Sequence, residues 1–318
     1  MPRVSIIIPA FNAEAHLEQA LGSVQGQTYD DWEIVVCDDC SADATSELAS
    51  GFGDKITLVH TEANSGPAAA RNLAIEHSSG ELLAFLDADD YWLPTYLERV
   101  VSLYDAGQAE HGNVGIVAAN ASLLQEGRLR PETQMDVIHF PAEVTLRRLL
   151  RANPFVSVIA PRAVVDEAGG FCPDLIRAQD YDLWIRILEA GYGVVSTREV
   201  LMVRRIRSGS WSSDVAVMAH YGQQTYRRAL ERGNLSRREQ RVARRELRHQ
   251  RLLEQVVLDN GLSYRRALRS LPLLVLVVAE HPRAWPSLPR KLSRGKHAFV
   301  PYPPPTAEAA AAAQATTR

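Results

Sequence analysis

The chain has 318 residues, 46% of them hydrophobic and 23% charged, with a formal net charge of -3 at neutral pH. This composition is that of an ordinary globular chain with room for a sizeable core, and its charge balance excludes a nucleic-acid partner. Three cysteines, Cys37, Cys40 and Cys172, are too few and too odd a set for a disulfide scaffold and fit a reducing, cytoplasmic setting.

Met1-Pro2-Arg3 runs directly into Val4–Ile8, an apolar β-type run too short for a signal-peptide core, which ends at Pro9. Asn12 is placed to cap a helix in which Leu17, Ala20, Leu21 and Val24 follow the spacing of one helical face. Glu33–Cys37 is the second strand and ends in Asp38-Asp39, after which Ser41 or Asp43 can cap a helix through Leu48. Cys37 and Cys40 form a C-x-x-C, but no second pair exists to complete a zinc site, and a buried thiol at a strand end is ordinary. Ile56–His60 is the third strand. Asn64-Ser65-Gly66-Pro67 turns into a helix with Pro67 in its first turn, ending near Ser78-Ser79-Gly80. Glu81–Leu86 is the fourth strand and runs into Asp87-Ala88-Asp89-Asp90. Strands alternating with helices predict parallel β-α-β units, whose ligands sit beyond the carboxyl ends of the strands. That rule gathers Pro9–Asn12, Asp38-Asp39, Asn64–Gly66 and Asp87–Asp90 at one edge.

The middle of the chain, roughly 112–205, reads as mixed. Gly115–Asn120 and Val156–Ala160 are strands, Gly169-Gly170-Phe171 is a turn, and Asp180–Ala190 is a helix with Leu183, Trp184, Ile187 and Leu188 on one face. From about Ser213 to Leu262 the pattern is helical and dense in arginine, with interleaved glutamates that favour a solvated, salt-bridged face. Arg265, Arg266 and Arg269 then precede the longest apolar run, Leu271–Ala279, which is about half of the ~20 residues that span a bilayer. Basic residues beside an apolar stretch and Trp285 suit peripheral attachment of residues 262–292 to an anionic membrane; packing against the rest of the chain is the other reading. The Pro- and Ala-rich end is expected to be disordered.

Three acids directly after a buried strand repel one another unless a cation or strong donors stand among them, and carboxylates beside phosphates are the usual Mg²⁺ or Mn²⁺ environment. A solvated acidic loop, with Asp89 or Asp90 capping a helix near Pro94, is the bland counterpart. A carboxylate at 38–39 can accept from a base or a ribose hydroxyl. Arg71 can pair with Asp39 or reach a phosphate. Asp180 begins a helix, where the terminus favours an ionised carboxylate, but on the residues alone plain N-capping is the favoured reading.

These segments together resemble the inverting, GT-A-fold glycosyltransferases of family 2, over about residues 3–212. The resemblance rests on Val4-Ser5-Ile6-Ile7-Ile8-Pro9-Ala10-Phe11-Asn12, on Trp32–Asp39 with Ser41 and Asp43, on Asn64-x-Gly66 with Ala70-Arg71-Asn72, on Asp87-Ala88-Asp89-Asp90, and on Asp180-Tyr181-Asp182-Leu183-Trp184. It implies an α/β fold with a Rossmann-like nucleotide-binding sheet, an acceptor-binding half and a C-terminal α-helical extension. The expected division is 1–212 catalytic, 213–300 helical and 301–318 a disordered tail. The implied site places a nucleotide-sugar donor, most simply a UDP-sugar, against Pro9, Phe11, Asn12, Asp38, Asp39, Asn64, Gly66, Arg71, Asp87 and Ala88. It makes Asp89 the ligand of a divalent cation, Mn²⁺ or Mg²⁺, and Asp180 the catalytic base toward a glycan or lipid-linked acceptor. Gln179 stands where the family often has glutamate, and Phe11 where tyrosine is commoner. The competing classes are a nucleotidyltransferase, which usually carries a Gly-rich basic loop after its first strand, and a catalytically inactive binding protein.

Overall fold

The computed structural model describes residues 1–260 apart from 54, 141, 142, 152, 154, 156 and 207–214. Residues 262–292, the expected membrane segment, and the 301–318 tail therefore lie outside the described residues. The described part falls into two compact units, 1–206 and 215–260.

The first unit opens with β1 (Val4–Ala10), α1 (Leu17–Gln25), β2 (Trp32–Asp38), α2 (Thr45–Ser50), β3 (Ile56–His60), α3 (Gly66–Glu76) and β4 (Leu82–Phe85). It continues with β5 (Tyr91–Trp92), α4 (Tyr96–His111), β6 (Val114–Gln125), β7 (Arg128–Leu129), α5 (Gln134–Val137) and α6 (Leu146–Leu149). β8 (Val158–Pro161), α7 (Arg162–Glu167), α8 (Gln179–Glu189) and β9 (Gly193–Ile206) complete it. Among the described residues nine strands form one sheet in the order β3-β2-β1-β4-β8-β6-β9-β5, with β7 paired to β6. β1, β2, β3 and β4 are parallel; β8 then runs antiparallel to β4 and to β6, and β9 is parallel to β6. Continuous apolar strands such as Val4–Ile8 fit this arrangement, because a parallel strand is covered on both faces.

The predicted face of α1 is the buried one: Leu17, Ala20, Leu21 and Val24 all pack into the core with Val4, Ile6, Ile8, Ile34 and Val36. Two capping expectations give way. Asn12 does not cap α1, whose N-cap is His16. It sits instead in the left-handed region (φ 47°), where its amide donates to Ser41 Oγ at 2.9 Å and its Oδ1 accepts from the Ala42 amide at 2.9 Å. Asn tolerates this conformation better than most residues. Nor does a side chain cap α2, which begins at Thr45 after Ala44; Asp43 holds the turn instead, accepting from the Thr45 amide (3.1 Å) and the Glu14 amide (3.1 Å). α4 starts after Thr95, so neither Asp89 nor Asp90 caps it.

The second unit pairs α9 (Val215–Arg232) with α10 (Arg237–Asn260). Gly233, at φ 78°, ends the first helix, and a reciprocal Ser236–Glu239 capping box opens the second. Ala219, Tyr226, Ala229, Leu235, Ala243 and Leu247 are buried, and Gln223 donates to Glu254 at 2.5 Å. Among the described residues no helix is long and apolar enough to cross a membrane.

Candidate active site

The four polar clusters meet. Asp39 follows β2, and its amide donates to the Ala10 carbonyl at 2.8 Å, which fixes the β1 and β2 ends together. Its buried carboxylate then organises the turn before α3: Oδ1 accepts from Thr61 Oγ1 (2.7 Å) and the Ser65 amide (2.8 Å), and Oδ2 from the Gly66 amide (2.8 Å). Gly66 has φ 83°, so a side chain there would be strained exactly where that amide must point. With two donors on Oδ1 and one on Oδ2, a carboxylate's roughly four acceptor sites leave one free for a ligand.

Asp38 faces the other way. It is buried, and its oxygens accept from the Ser41 amide (3.0 Å) and Ser46 Oγ (2.8 Å), with His60 Nδ1 at 3.7 Å. Its engagements are thus all with the α2 loop and β3. Cys37 is buried next to this pair, and burial, then Asp39 and Asp38, push its thiol up to about 12; it is an inert core thiol. Cys40 is exposed and free. Phe11 is 43% exposed just past β1, an aromatic face open to a ligand, with Pro9 half-buried before it and Asn64 exposed across the turn.

At the end of β4, Asp87, Asp89 and Asp90 each offer an oxygen, all within 4.8 Å of one another. Ala88 between them is buried. Asp90 turns inward and accepts from the Arg205 amide at 2.7 Å, while Arg205 Nη1 donates to the Asp89 carbonyl at 2.9 Å. Arg205, at the end of β9, therefore clamps the loop from below. Burial, then the charges of Asp89 and Asp87, push the Asp90 carboxyl well above the usual carboxylate range, against the Arg205 amide and Arg204. This is an all-oxygen, negatively charged donor set of the kind hard divalent cations take, so the residues fit Mg²⁺ or Mn²⁺.

Arg71 joins this cluster to the rest. It lies buried on α3 and pairs with Asp87 (2.6 Å) rather than Asp39, with its guanidinium 5.4 Å from the Phe171 ring centre. Its Nη1 is buried and makes no hydrogen bond among the described residues. One residue on, Asn72 grips the opposite half of the unit: its Nδ2 donates to the Phe171 carbonyl (2.8 Å) and its Oδ1 accepts from the Phe171 amide (2.9 Å). Gly170, at φ 65°, makes that approach possible. Phe171 then packs edge-on to Phe85 (5.2 Å) and Trp184 (6.3 Å), a floor of aromatic rings beneath the site.

Asp180 stands in the first turn of α8. Ala178, in the left-handed region, is the N-cap, so Asp180 does not cap. Its Oδ2 accepts from Asn153 Nδ2 at 3.0 Å. Burial raises its carboxyl above the ordinary range, opposed by the charge of Arg71, the Tyr181 amide and Asn153, and reinforced by Asp87. The helix terminus alone favours ionisation, but desolvation outweighs it here. Asp182 is buried and paired with Arg186 (2.8 Å), a partner one turn on within the same helix. Asn153 and Arg205 carried no sequence signal, and Asn72 stood in a matched motif without an assigned role, because each acts on a residue away along the chain.

The sequence profile described as Glycosyl transferase family 2 matches residues 5–165. The Escherichia coli protein WfgD, named UDP-Glc:alpha-D-GlcNAc-diphosphoundecaprenol beta-1,3-glucosyltransferase, is 32% identical over 189 residues, 58% of this chain and 70% of its own. Two solved structures share the fold. The mannosyltransferase PcManGT of Pyrobaculum calidifontis, in complex with GDP-Man and Mn²⁺, has a TM-score of 0.66 at 22% identity, over 92% of this chain and 85% of that one. TarS of S. aureus (residues 1–349), in complex with UDP-GlcNAc, has a TM-score of 0.60 at 22% identity, over 81% and 72%.

Proposed function

The chain belongs to glycosyl transferase family 2, with the GT-A fold, and on that premise we propose that it moves a sugar from a nucleotide-sugar donor to a hydroxyl of a glycan or lipid-linked acceptor, with inversion. A UDP-sugar is the first choice of donor. The observation that carries this reading is the shared cation: Arg71 contacts Asp87 of the acidic loop, and its charge also acts on Asp180. That link supports a reading in which the acidic loop faces the donor phosphates and Asp180 serves as the base for the same substrate pair.

In this reading Phe11 stacks on the base, Pro9 and Asn12 shape its pocket, and the open acceptor site of Asp39 takes a base N–H or a ribose hydroxyl. Gly66 and Asn64 border it. Asp89, with Asp87 beside it, would hold a divalent cation, which supplies charge neutralisation to the diphosphate when bound. Arg71 Nη1 is a ready donor to the same diphosphate.

Asp180 takes the proton from the acceptor hydroxyl as that oxygen bonds to the anomeric carbon. The bond from that carbon to the diphosphate oxygen breaks, and the leaving group keeps the electron pair. A single displacement of this kind inverts the anomeric centre. The raised carboxyl of Asp180 is an asset, since a base works best with a pKa nearer the working pH. Asn153 and the Tyr181 amide orient it. Membrane attachment through residues 262–292 remains part of the proposal and would bring the site to a lipid-linked acceptor.

Calorimetric titration with UDP or GDP and Mn²⁺ tests the donor half. The Asp89→Ala variant should bind about tenfold or more weakly, as the loss of a charge-assisted contact implies. Wild-type affinity in the variant, or undiminished affinity in chelator, contradicts the reading.

A further inference from the structure

The segment that carries Asn153 also carries three exposed arginines. Arg147 and Arg148 lie on α6, and Arg151 follows it. Several other arginines of the unit are each paired with a carboxylate, as Arg71 is with Asp87, Arg99 with Glu199 and Arg186 with Asp182. Arg147, Arg148 and Arg151 make no ion pair among the described residues. Arg148 donates only to a carbonyl, that of Glu143, at 2.7 Å. Three uncompensated cations on one short turn repel each other, and an anion between them relieves that cost.

Their position relative to the base is fixed. Leu149 and Leu150 of the same turn are fully buried, and the Tyr181 hydroxyl donates to the Leu149 carbonyl at 2.7 Å. Asn153 then bonds Asp180. Two residues of chain span at most about 7 Å, so Arg151 starts within that distance of the residue that holds the base. In a sugar linked to a carrier through a diphosphate, the accepting hydroxyl and the diphosphate stand on either side of a single ring. A hydroxyl at Asp180 therefore brings the diphosphate to this ledge.

We propose that Arg147, Arg148 and Arg151 bind the diphosphate of the acceptor, which makes the acceptor a sugar diphosphate on a lipid carrier. This rests on Asp180 as the acceptor-side base. Guanidinium forks suit phosphate oxygens through paired, charge-assisted bonds. The donor diphosphate belongs to the separate cluster at Asp87 and Asp89. The leucines of α6 are buried or half-buried, so the turn lacks the exposed apolar face that an interfacial helix inserts into a bilayer.

The test is binding of farnesyl diphosphate to the full chain in EDTA, which silences cation-dependent binding at the acidic loop. The triple variant Arg147→Gln, Arg148→Gln, Arg151→Gln should bind about tenfold or more weakly with its unfolding temperature unchanged, as expected for lost charge-assisted bonds at exposed positions. The triple lysine variant should keep most of the affinity, Arg128→Gln should keep all of it, and farnesol should show no dependence on the arginines. Equal affinity of the wild type and the triple glutamine variant overturns the proposal. So does a triple glutamine variant that loses flotation on phosphatidylglycerol vesicles while holding farnesyl diphosphate normally, since the cations then serve the bilayer. A failure of Asp180 as base would appear in transfer rates and leave this titration untouched.

Discussion

The two sides of the catalytic unit are built by different means. At the β1–β3 ends, the loop carboxylates are held largely by backbone amides: Asp38 by Ser41, Asp39 by Ser65 and Gly66, Asp43 by Glu14 and Thr45. On the α6–α8 side, side-chain braces carry more of the work: Asn153, beside the Tyr181 amide, holds Asp180, and Asn72 holds Phe171. The amides of the first side lie in the loops and helix starts that follow the strand ends, and a side-chain substitution does not remove them, so that side is a backbone-built cradle. A side-chain brace can be cut by one substitution without unmaking a strand. In the proposed reading, a backbone-built donor side and a braced acceptor side suit a reaction whose donor chemistry is generic and whose acceptor must be selected.

The two aspartates of α8 break this comparison open most sharply. Asp180→Asn should lower turnover by about 10²–10⁴-fold, the range of positioned general-base catalysis, with donor affinity nearly unchanged. Asp182, 1% exposed and paired with Arg186, should behave oppositely: Asp182→Asn should cost about 3 kcal/mol or more of stability, the scale of a buried pair that loses one partner. Denaturant unfolding beside a turnover assay separates the two. A donor-competent, stable but inactive Asp182→Asn would reverse the roles.

The pH dependence sharpens the same contrast. Asp180 has a folded carboxyl raised above its unfolded value, so its favourable contribution is complete below the ordinary aspartate range and is lost as pH rises through the raised value. Asp180→Asn should therefore unfold at a higher temperature than wild type at pH 7, with the difference closing as pH falls below about 4, the ordinary aspartate pKa. The wild-type rate should fall on the acid side through a pKa above that ordinary value.

A smaller effect tests the brace between the sides. Asn72→Ala removes both hydrogen bonds to Phe171 and should cost about 1–3 kcal/mol of stability, the usual scale for buried partners left unmade. Its expected kinetic signature is poorer acceptor use at unchanged donor affinity. Donor affinity falling as much as acceptor use would show that the brace serves both sides.

The same division decided what the sequence disclosed. β1, β2 and β4 were legible because strands covered on both faces must be continuous apolar runs, and each ends in a polar cluster too dense to be incidental; β3, a partly exposed edge strand, was legible from its β-branched residues between turns. The meeting of those clusters followed from parallel topology alone. β9 was not legible: Ser196, Thr197, Arg198 and Glu199 interrupt its apolar residues, and its register against β6 shifts at irregular points. The braces were hidden too, since Asn72 lies 99 residues from Phe171, and Asn153 lies 27 from Asp180. Asn12 misled for a physical reason, because a residue able to cap a helix is equally able to hold a left-handed turn.

The central claim is a single displacement at Asp180, and the anomeric configuration of the product reports on it directly. Water can stand in for the acceptor. Wild-type protein incubated with α-linked UDP-glucose and Mn²⁺ should release β-glucose first, seen by proton NMR before mutarotation mixes the anomers. Initial release of α-glucose would require a double displacement or a front-face path, and would contradict the role given to Asp180.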